Sequence, residues 1–167
     1  MPIEGFFQIT LILATFLCSL VAGFLLAFAI VVMPGIKQLS DREFIRAFQV
    51  IDGIIQNNQP VFVFLWLGSI VFLIASSVLS LGQLDRVDYL LILLALLAYL
   101  LGVQLPTFTI NIPLNKQLQS LKMDEMDEAM YQSARLDFEP RWNRWNLIRT
   151  PLACLVSALL ILLLFRL

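Results

Sequence analysis

Gln104, Thr107, Asn111 and Asn115 recur along an otherwise apolar stretch of this chain. Their steps of three, four and four residues put them on one face of a helix. Buried amides both donate and accept hydrogen bonds. A row of them either joins helices or presents polar points to a ligand. Pro106 and Pro113 interrupt the same stretch, and each frees the carbonyl four residues earlier, at Gly102 and Thr109. A second face carries Trp142, Trp145, Asn146 and Arg149. Such residues anchor helices at membrane interfaces. An arginine inside an apolar run, however, needs an anionic partner. Asp52, Asp137 and Glu139 are the candidate carboxylates, and a bound oxyanion is the other candidate. A third group is Gln56-Asn57-Asn58-Gln59 before Pro60, which reads as a helix cap or as ligand contacts. The chain has no histidine, which removes the commonest general base and metal ligand. Cys18 and Cys154 each lie in an apolar run and read as small buried hydrophobes. Neither a metal site nor a cofactor is expected.

The elements that position these groups follow from composition. Of 167 residues, 60% are hydrophobic and 14% charged, against about 45–50% and about 25% in soluble domains. This excludes a disordered chain, a nucleic-acid binder and an ordinary cytosolic enzyme. Four apolar runs are long enough to cross about 30 Å of hydrocarbon. They predict transmembrane helices over 6–33, 60–81, 89–115 and 147–166. The first reads as a span rather than a cleaved signal peptide, because no Lys or Arg precedes it and the run is too long. Ser40 and Glu43 form a capping-box pattern, followed by Phe44, Phe48, Ile51 and Ile55 at helical spacing. They predict an amphipathic helix over 41–58. Asp124 and Asp127 suit the start of a second one over 125–146, with Met126, Met130, Ala134 and Phe138 as its inner stripe and Asp137–Arg141 as an i,i+4 ion pair. The expected fold is all-α: one integral membrane domain over 1–167, a four-transmembrane-helix bundle with two amphipathic helical loops on the same side.

Of the eleven Lys and Arg, only Arg86 and Arg166 lie away from those two long loops and their flanks. The positive-inside rule puts the loops in the cytoplasm and both termini outside. A prokaryotic plasma membrane is the expected location. Four antiparallel spans bring the 56–59 amides, Asn111, Asn115 and the Trp142–Arg149 face to one membrane depth. A pocket is expected there, with Arg149, Asn146, Asn111 and Asn115 as chemical groups and Trp142, Trp145, Asn58, Gln59 and Gln104 as binding groups. The bilayer is the expected environment and a lipophilic small molecule the expected ligand. No nucleic acid is expected as a partner, and oligomerisation is left open.

These residues also carry a family resemblance. Gly23–Ala29 leads to Val-Met-Pro-Gly at 32–35. Ala47-Phe48-Gln49 is followed by Asp52, where Asn is more usual, and Asn58 is separated from Pro60 by Gln59. The most specific parts are Asn111-x-Pro-Leu-Asn115 and Phe138-Glu139 followed by Trp142-Asn143-x-Trp145-Asn146-x-x-Arg149-Thr150. Over nearly the whole chain this pattern resembles the anthrone oxygenase-like family of small membrane proteins. Leu147 stands where many of that family carry His. The resemblance implies a four-helix membrane bundle that oxidises anthrones to anthraquinones with dioxygen, with no metal or organic cofactor assigned. Arg149 would then stabilise an oxyanion, and the asparagines would orient carbonyl and phenol groups. The tryptophans would stack on the rings, and Asp52 or Glu139 would serve as base. The alternative is a non-catalytic membrane module that binds a lipid or quinone or supports a larger complex. A transporter is disfavoured by the absence of an internal repeat and of an intramembrane acid.

Overall fold

The computed structural model describes residues 3–167. Met1 and Pro2, part of the stretch without Lys or Arg that precedes the first span, lie outside them. The fold is all-α, with five long helices. We label them α1 (Gly5–Ile36), α2 (Asp41–Gln56), α3 (Pro60–Leu79), α4 (Arg86–Gln119) and α5 (Glu128–Arg166). All except α2 are long and apolar enough to cross a membrane. Rows of exposed apolar side chains, such as Ile12 and Phe16 on α1 or Leu101 and Leu105 on α4, face outward from the bundle. Hydrocarbon is the solvent that such rows suit.

Local chemistry sets the helix boundaries. Ser40 and Glu43 form the expected capping box at the start of α2. Asp127 caps α5 by accepting from the Met130 N–H at 2.8 Å, while Asp124 lies in a separate turn of 3₁₀ helix at Met123–Glu125. Asn58 sits at φ 57°, a left-handed conformation that Asn tolerates better than most side chains. Gln59 then caps α3 by accepting from the Phe62 N–H.

Three prolines are accommodated by widening the helix. Segments of π-helix precede Pro34, Pro106 and Pro113, at Phe28–Val32, Ala98–Gln104 and Thr107–Asn111. In each case the residue before the proline donates five residues back: Met33 to Phe28, Leu105 to Leu100 and Ile112 to Thr107. The extra residue per turn relieves the clash between the proline ring and the preceding carbonyl. The helix therefore continues through the prolines.

Four expectations are corrected. Cys18 is buried as expected, but Cys154 is exposed on the outer face of its helix. The amphipathic segment over 125–146 and the span over 147–166 are one continuous helix, α5, which runs through Pro140 and Pro151. Its inner stripe is Tyr131, Phe138 and Trp142, all buried, whereas Met130 is 49% exposed. No Asp137–Arg141 pair forms among the described residues. The acid–base pair on that helix is Arg135 with Glu139, at 2.7 Å.

In the bundle, α1 packs along α3 and α5, and α4 packs along α5. Gly102 permits this last approach: a Cβ there would meet Leu152 Cδ1 at 2.6 Å. The spatial order is thus α3–α1–α5–α4. Late α4 and early α3 are left at the two rims of a concave face. Helix α2 lies across the long-loop end, with Phe44, Ile45 and Phe48 fully buried against α4 and α5. Arg135 holds it there. It bonds Asp41 and the Leu39 carbonyl at 2.9 Å each and the Lys37 carbonyl at 2.7 Å, while lying over the Phe44 ring.

Candidate functional site

A cavity of about 370 Å³ lies beneath α2, between α1, α3, α4 and α5. That is within the range of small-molecule sites, about 300–1,000 Å³. Its walls are mainly aromatic. Trp66, Phe62, Phe24, Phe28, Trp142 and Phe48 line it as one continuous run of touching rings. Phe62 and Trp66 stack at 5.5 Å, and Phe28 meets Trp142 at 5.7 Å. Leu67 on α3 and Phe108 on α4 also line the cavity while 53% and 50% exposed on the outer surface. The cavity therefore opens sideways between the two rims, toward the face that hydrocarbon would cover.

The polar stripe of α4 supplies the opposing chemistry, and each member finds a partner across the bundle. Gln104 Oε1 accepts from the Trp66 indole at 2.9 Å. Thr107 Oγ1 accepts from Arg149 Nη1 at 2.9 Å. Asn111 Nδ2 faces the Trp142 carbonyl at 3.5 Å. Asn115 Oδ1 accepts from the Trp142 indole at 2.8 Å, and its Nδ2 donates to Asp52 at 2.7 Å. Gln119, one turn further on, donates to Asp52 and to the Gln49 carbonyl.

Arg149 is 5% exposed and lines the cavity. Its Nε donates to Asn146 Oδ1 at 3.2 Å, and its Cζ lies 5.5 Å from the centre of the Trp142 ring. No carboxylate reaches it among the described residues. Glu139 is held by Arg135, Asp137 is exposed at the surface, and Asp52 bonds only amides. A buried guanidinium without a counter-ion is costly and calls for an anion. Nη2 makes no hydrogen bond among the described residues and is the donor left over.

Asp52 is the cavity's carboxylate. It is 2% exposed and accepts from Asn115, Gln119 and Gln56. Burial raises its pKa above the ordinary carboxylate value, and the three amide donors offset part of that rise. No cluster of three or more His, Cys, Asp or Glu side chains able to hold a metal occurs among the described residues.

The structure brings Arg149, Asn111, Asn115, Trp142 and Asn58 to the cavity wall. The other expected residues stand behind it or away from it. Asn146 supports Arg149 from behind and donates to the Leu25 carbonyl at 3.3 Å. Gln104 braces Trp66, Gln59 is a helix cap, and Trp145 is half-buried outside the cavity. Phe24, Phe28, Phe62 and Trp66 were not among the expected binding residues. In sequence they merge with the apolar runs that surround them, and only their convergence marks them. Gln119 lies one further step of four along the stripe from Asn115, so that spacing was the available signal.

A family model described as Anthrone oxygenase matches residues 59–160, more than half of the chain. The match spans α3, α4 and most of α5, the helices that carry the stripe and Arg149. No curated protein and no solved structure matches the chain.

Proposed function

This chain belongs to the anthrone oxygenase family, and on that premise we propose that it oxidises a lipophilic, ionisable phenolic of the anthrone type with dioxygen inside the membrane. The observation that carries the reading is Arg149: a buried, carboxylate-free cation facing an aromatic-walled cavity. An anthrone is apolar enough to partition into hydrocarbon, and the sideways opening between Leu67 and Phe108 suits its arrival from the bilayer. Loss of a proton gives an electron-rich anion whose charge rests largely on oxygen. Nη2 of Arg149, supported by Thr107 and Asn146, is a preorganised donor for that oxyanion. Trp142 and the Phe62–Trp66 pair supply ring faces for stacking. Asp52 is the group placed to receive the proton, and its raised pKa moves it toward the range a base needs.

The stoichiometry is one anthrone and one dioxygen giving one anthraquinone and one water. The methylene carbon of the anthrone loses two hydrogens and gains one oxygen atom as a carbonyl. The second oxygen atom leaves with both hydrogens as water. In this reading the long-loop end faces the cytoplasm, as the basic residues of those loops favour.

The test is oxygen uptake by the purified protein in detergent, with anthrone and with 1,8-dihydroxyanthrone as probes. The expected result is uptake well above spontaneous autoxidation, with one quinone formed per oxygen consumed. Arg149→Ala should fold and turn over about 100–1,000-fold more slowly, the scale of losing an oxyanion donor. Uptake equal to autoxidation with both probes would overturn the catalytic reading and leave a lipid- or quinone-binding module.

A further inference from the structure

Four cations lie at one level of the molecule, and Trp142 marks that level. Its indole donates to Asn115 of α4 at 2.8 Å, and its ring meets Phe48 of α2 at 5.6 Å. Lys116 follows Asn115, Arg46 stands two residues before Phe48, and Arg141 and Arg144 flank Trp142 itself. At about 1.5 Å of rise per residue, each of the four lies within about 3 Å, along its own helix, of a residue in that contact. All four side chains are exposed, and none makes an ion pair among the described residues. Three helices thus bring unpaired cations to one band around the bundle. They are scattered along the chain, and only the packing collects them.

The surface changes character on the two sides of this band. Helix α2 keeps step with α5: Asp41 meets Arg135, Phe44 meets Phe138 and Phe48 meets Trp142. Its later residues therefore lie on the side where α5 enters its span. There the exposed side chains are apolar, with Val50 and Ile54 on α2 and Leu147 on α5 all more than half exposed. On the other side carboxylates gather. Asp124, Glu125, Asp127 and Glu128 cluster at the α4–α5 turn, where Lys122 already pairs with Glu125. Trp145, half-buried and outside the cavity, stands in the band itself. Indoles favour the headgroup region. Apolar surface, then a basic band with a tryptophan, then acidic surface matches the order of hydrocarbon, phosphate and water in a bilayer.

We infer that Arg46, Lys116, Arg141 and Arg144 form a belt that binds the phosphodiester headgroups of anionic phospholipids. Each side chain can lay its stem along apolar surface while its charge reaches the phosphates. A zwitterionic headgroup carries the same phosphate but cancels it with an ammonium, so the belt discriminates by net charge. Lys116 also lines the cavity. The belt therefore places an anionic lipid beside the cavity and sets the depth at which its sideways opening meets hydrocarbon. This binding needs neither turnover nor a cavity ligand, and it does not rest on the function proposed above.

The experiment is electron spin resonance of the full chain in phosphatidylcholine bilayers. The probes are traces of spin-labelled phosphatidylglycerol and spin-labelled phosphatidylcholine, and the immobilised fraction of each gives their relative association with the protein. Phosphatidylglycerol should associate about threefold or more strongly, with the preference shrinking at high salt. Combining Arg46→Gln, Lys116→Gln, Arg141→Gln and Arg144→Gln should bring the ratio close to one. If that variant does not fold, the pairs Arg46→Gln/Lys116→Gln and Arg141→Gln/Arg144→Gln should each lose part of the preference. Arg86→Gln removes an exposed cation at the opposite end and should leave the ratio unchanged. Inorganic phosphate should displace no more label than chloride at equal ionic strength, because the belt reads headgroups held in the membrane plane. Equal association of the two lipids with the wild type would overturn the inference. So would a preference that survives in the belt variants, one that Arg86→Gln removes as fully, or one that free phosphate competes away.

Discussion

Where α3 turns into α4, Leu73, Ile92, Leu160 and Leu163 are fully buried among other apolar side chains. The polar groups there are satisfied: Ser76 and Ser77 return their hydroxyls to the carbonyls of Phe72 and Leu73 on their own helix, and the buried Asp88 of α4 is paired with Arg166 of α5. At the opposite end Arg149, Asp52 and Asn111 are buried around a cavity, and α1 and α4 widen into π-helix. The Trp66–Gln104 and Ser69–Tyr99 hydrogen bonds mark the boundary between the two regions. One end follows the rules of a packed membrane core. The other breaks several of them at once, with a cation lacking its counter-ion and an acceptor, Asn111 Oδ1, lacking its donor among the described residues. Concentrated departures of this kind are where function is expected.

The contrast predicts that stability and activity separate by region. Leu160→Ala should cost about 2–5 kcal/mol, the usual range for a large-to-small change in a tight core. Oxygen uptake per folded molecule should stay unchanged. Thermal unfolding in detergent alongside the uptake assay checks both. A large loss of turnover at unchanged stability would erase the distinction between the two ends.

Asp52 sharpens the contrast through pH. If it receives the proton, turnover rises with pH as its carboxyl ionises, at a pH above the ordinary carboxylate range because burial raises its pKa. Asp52→Asn should flatten that profile. Stability runs the other way. The folded protein holds this proton more tightly than the unfolded chain, so the contribution is complete below the ordinary carboxylate pKa. It is lost as pH rises through the raised one. Unfolding midpoints across that window should fall for the wild type and stay level for Asp52→Asn. A wild-type turnover profile no steeper than that of the variant would remove Asp52 from the chemistry.

The fold was legible because its signals are large. Long uncharged runs, the Ser40–Glu43 box and the Phe44/Phe48 stripe each produced the element they predict. The junction of the last loop with the last span was less legible. The loop helix is expected to end at 146 and the span to begin at 147, yet the helix runs through both Pro140 and Pro151, because a proline that costs one hydrogen bond does not end a helix packed along its length. In the site, the α4 stripe was readable from spacing alone, because π-helical turns and regular ones both keep residues four apart on nearly one line. The division of labour among the asparagines was not readable. Asn111, Asn115 and Asn146 are the same side chain in the same leaflet, and only their partners distinguish them. Arg149 could be marked as needing an anion. That Glu139 is bound by Arg135 depends on one helical turn of α5, which motif spacing does not rank.

The central claim is that Arg149 is the counter-ion of a bound phenolate or enolate. It is tested most directly by the visible spectrum of 1-hydroxyanthraquinone, an air-stable product analogue, bound to the protein and titrated with pH. The account predicts that the wild type shifts the phenol's ionisation downward by about one pH unit or more. Arg149→Met should bind the probe and lose the shift. Identical ionisation in the wild type and the variant would contradict the account, since the buried cation would then hold no anion.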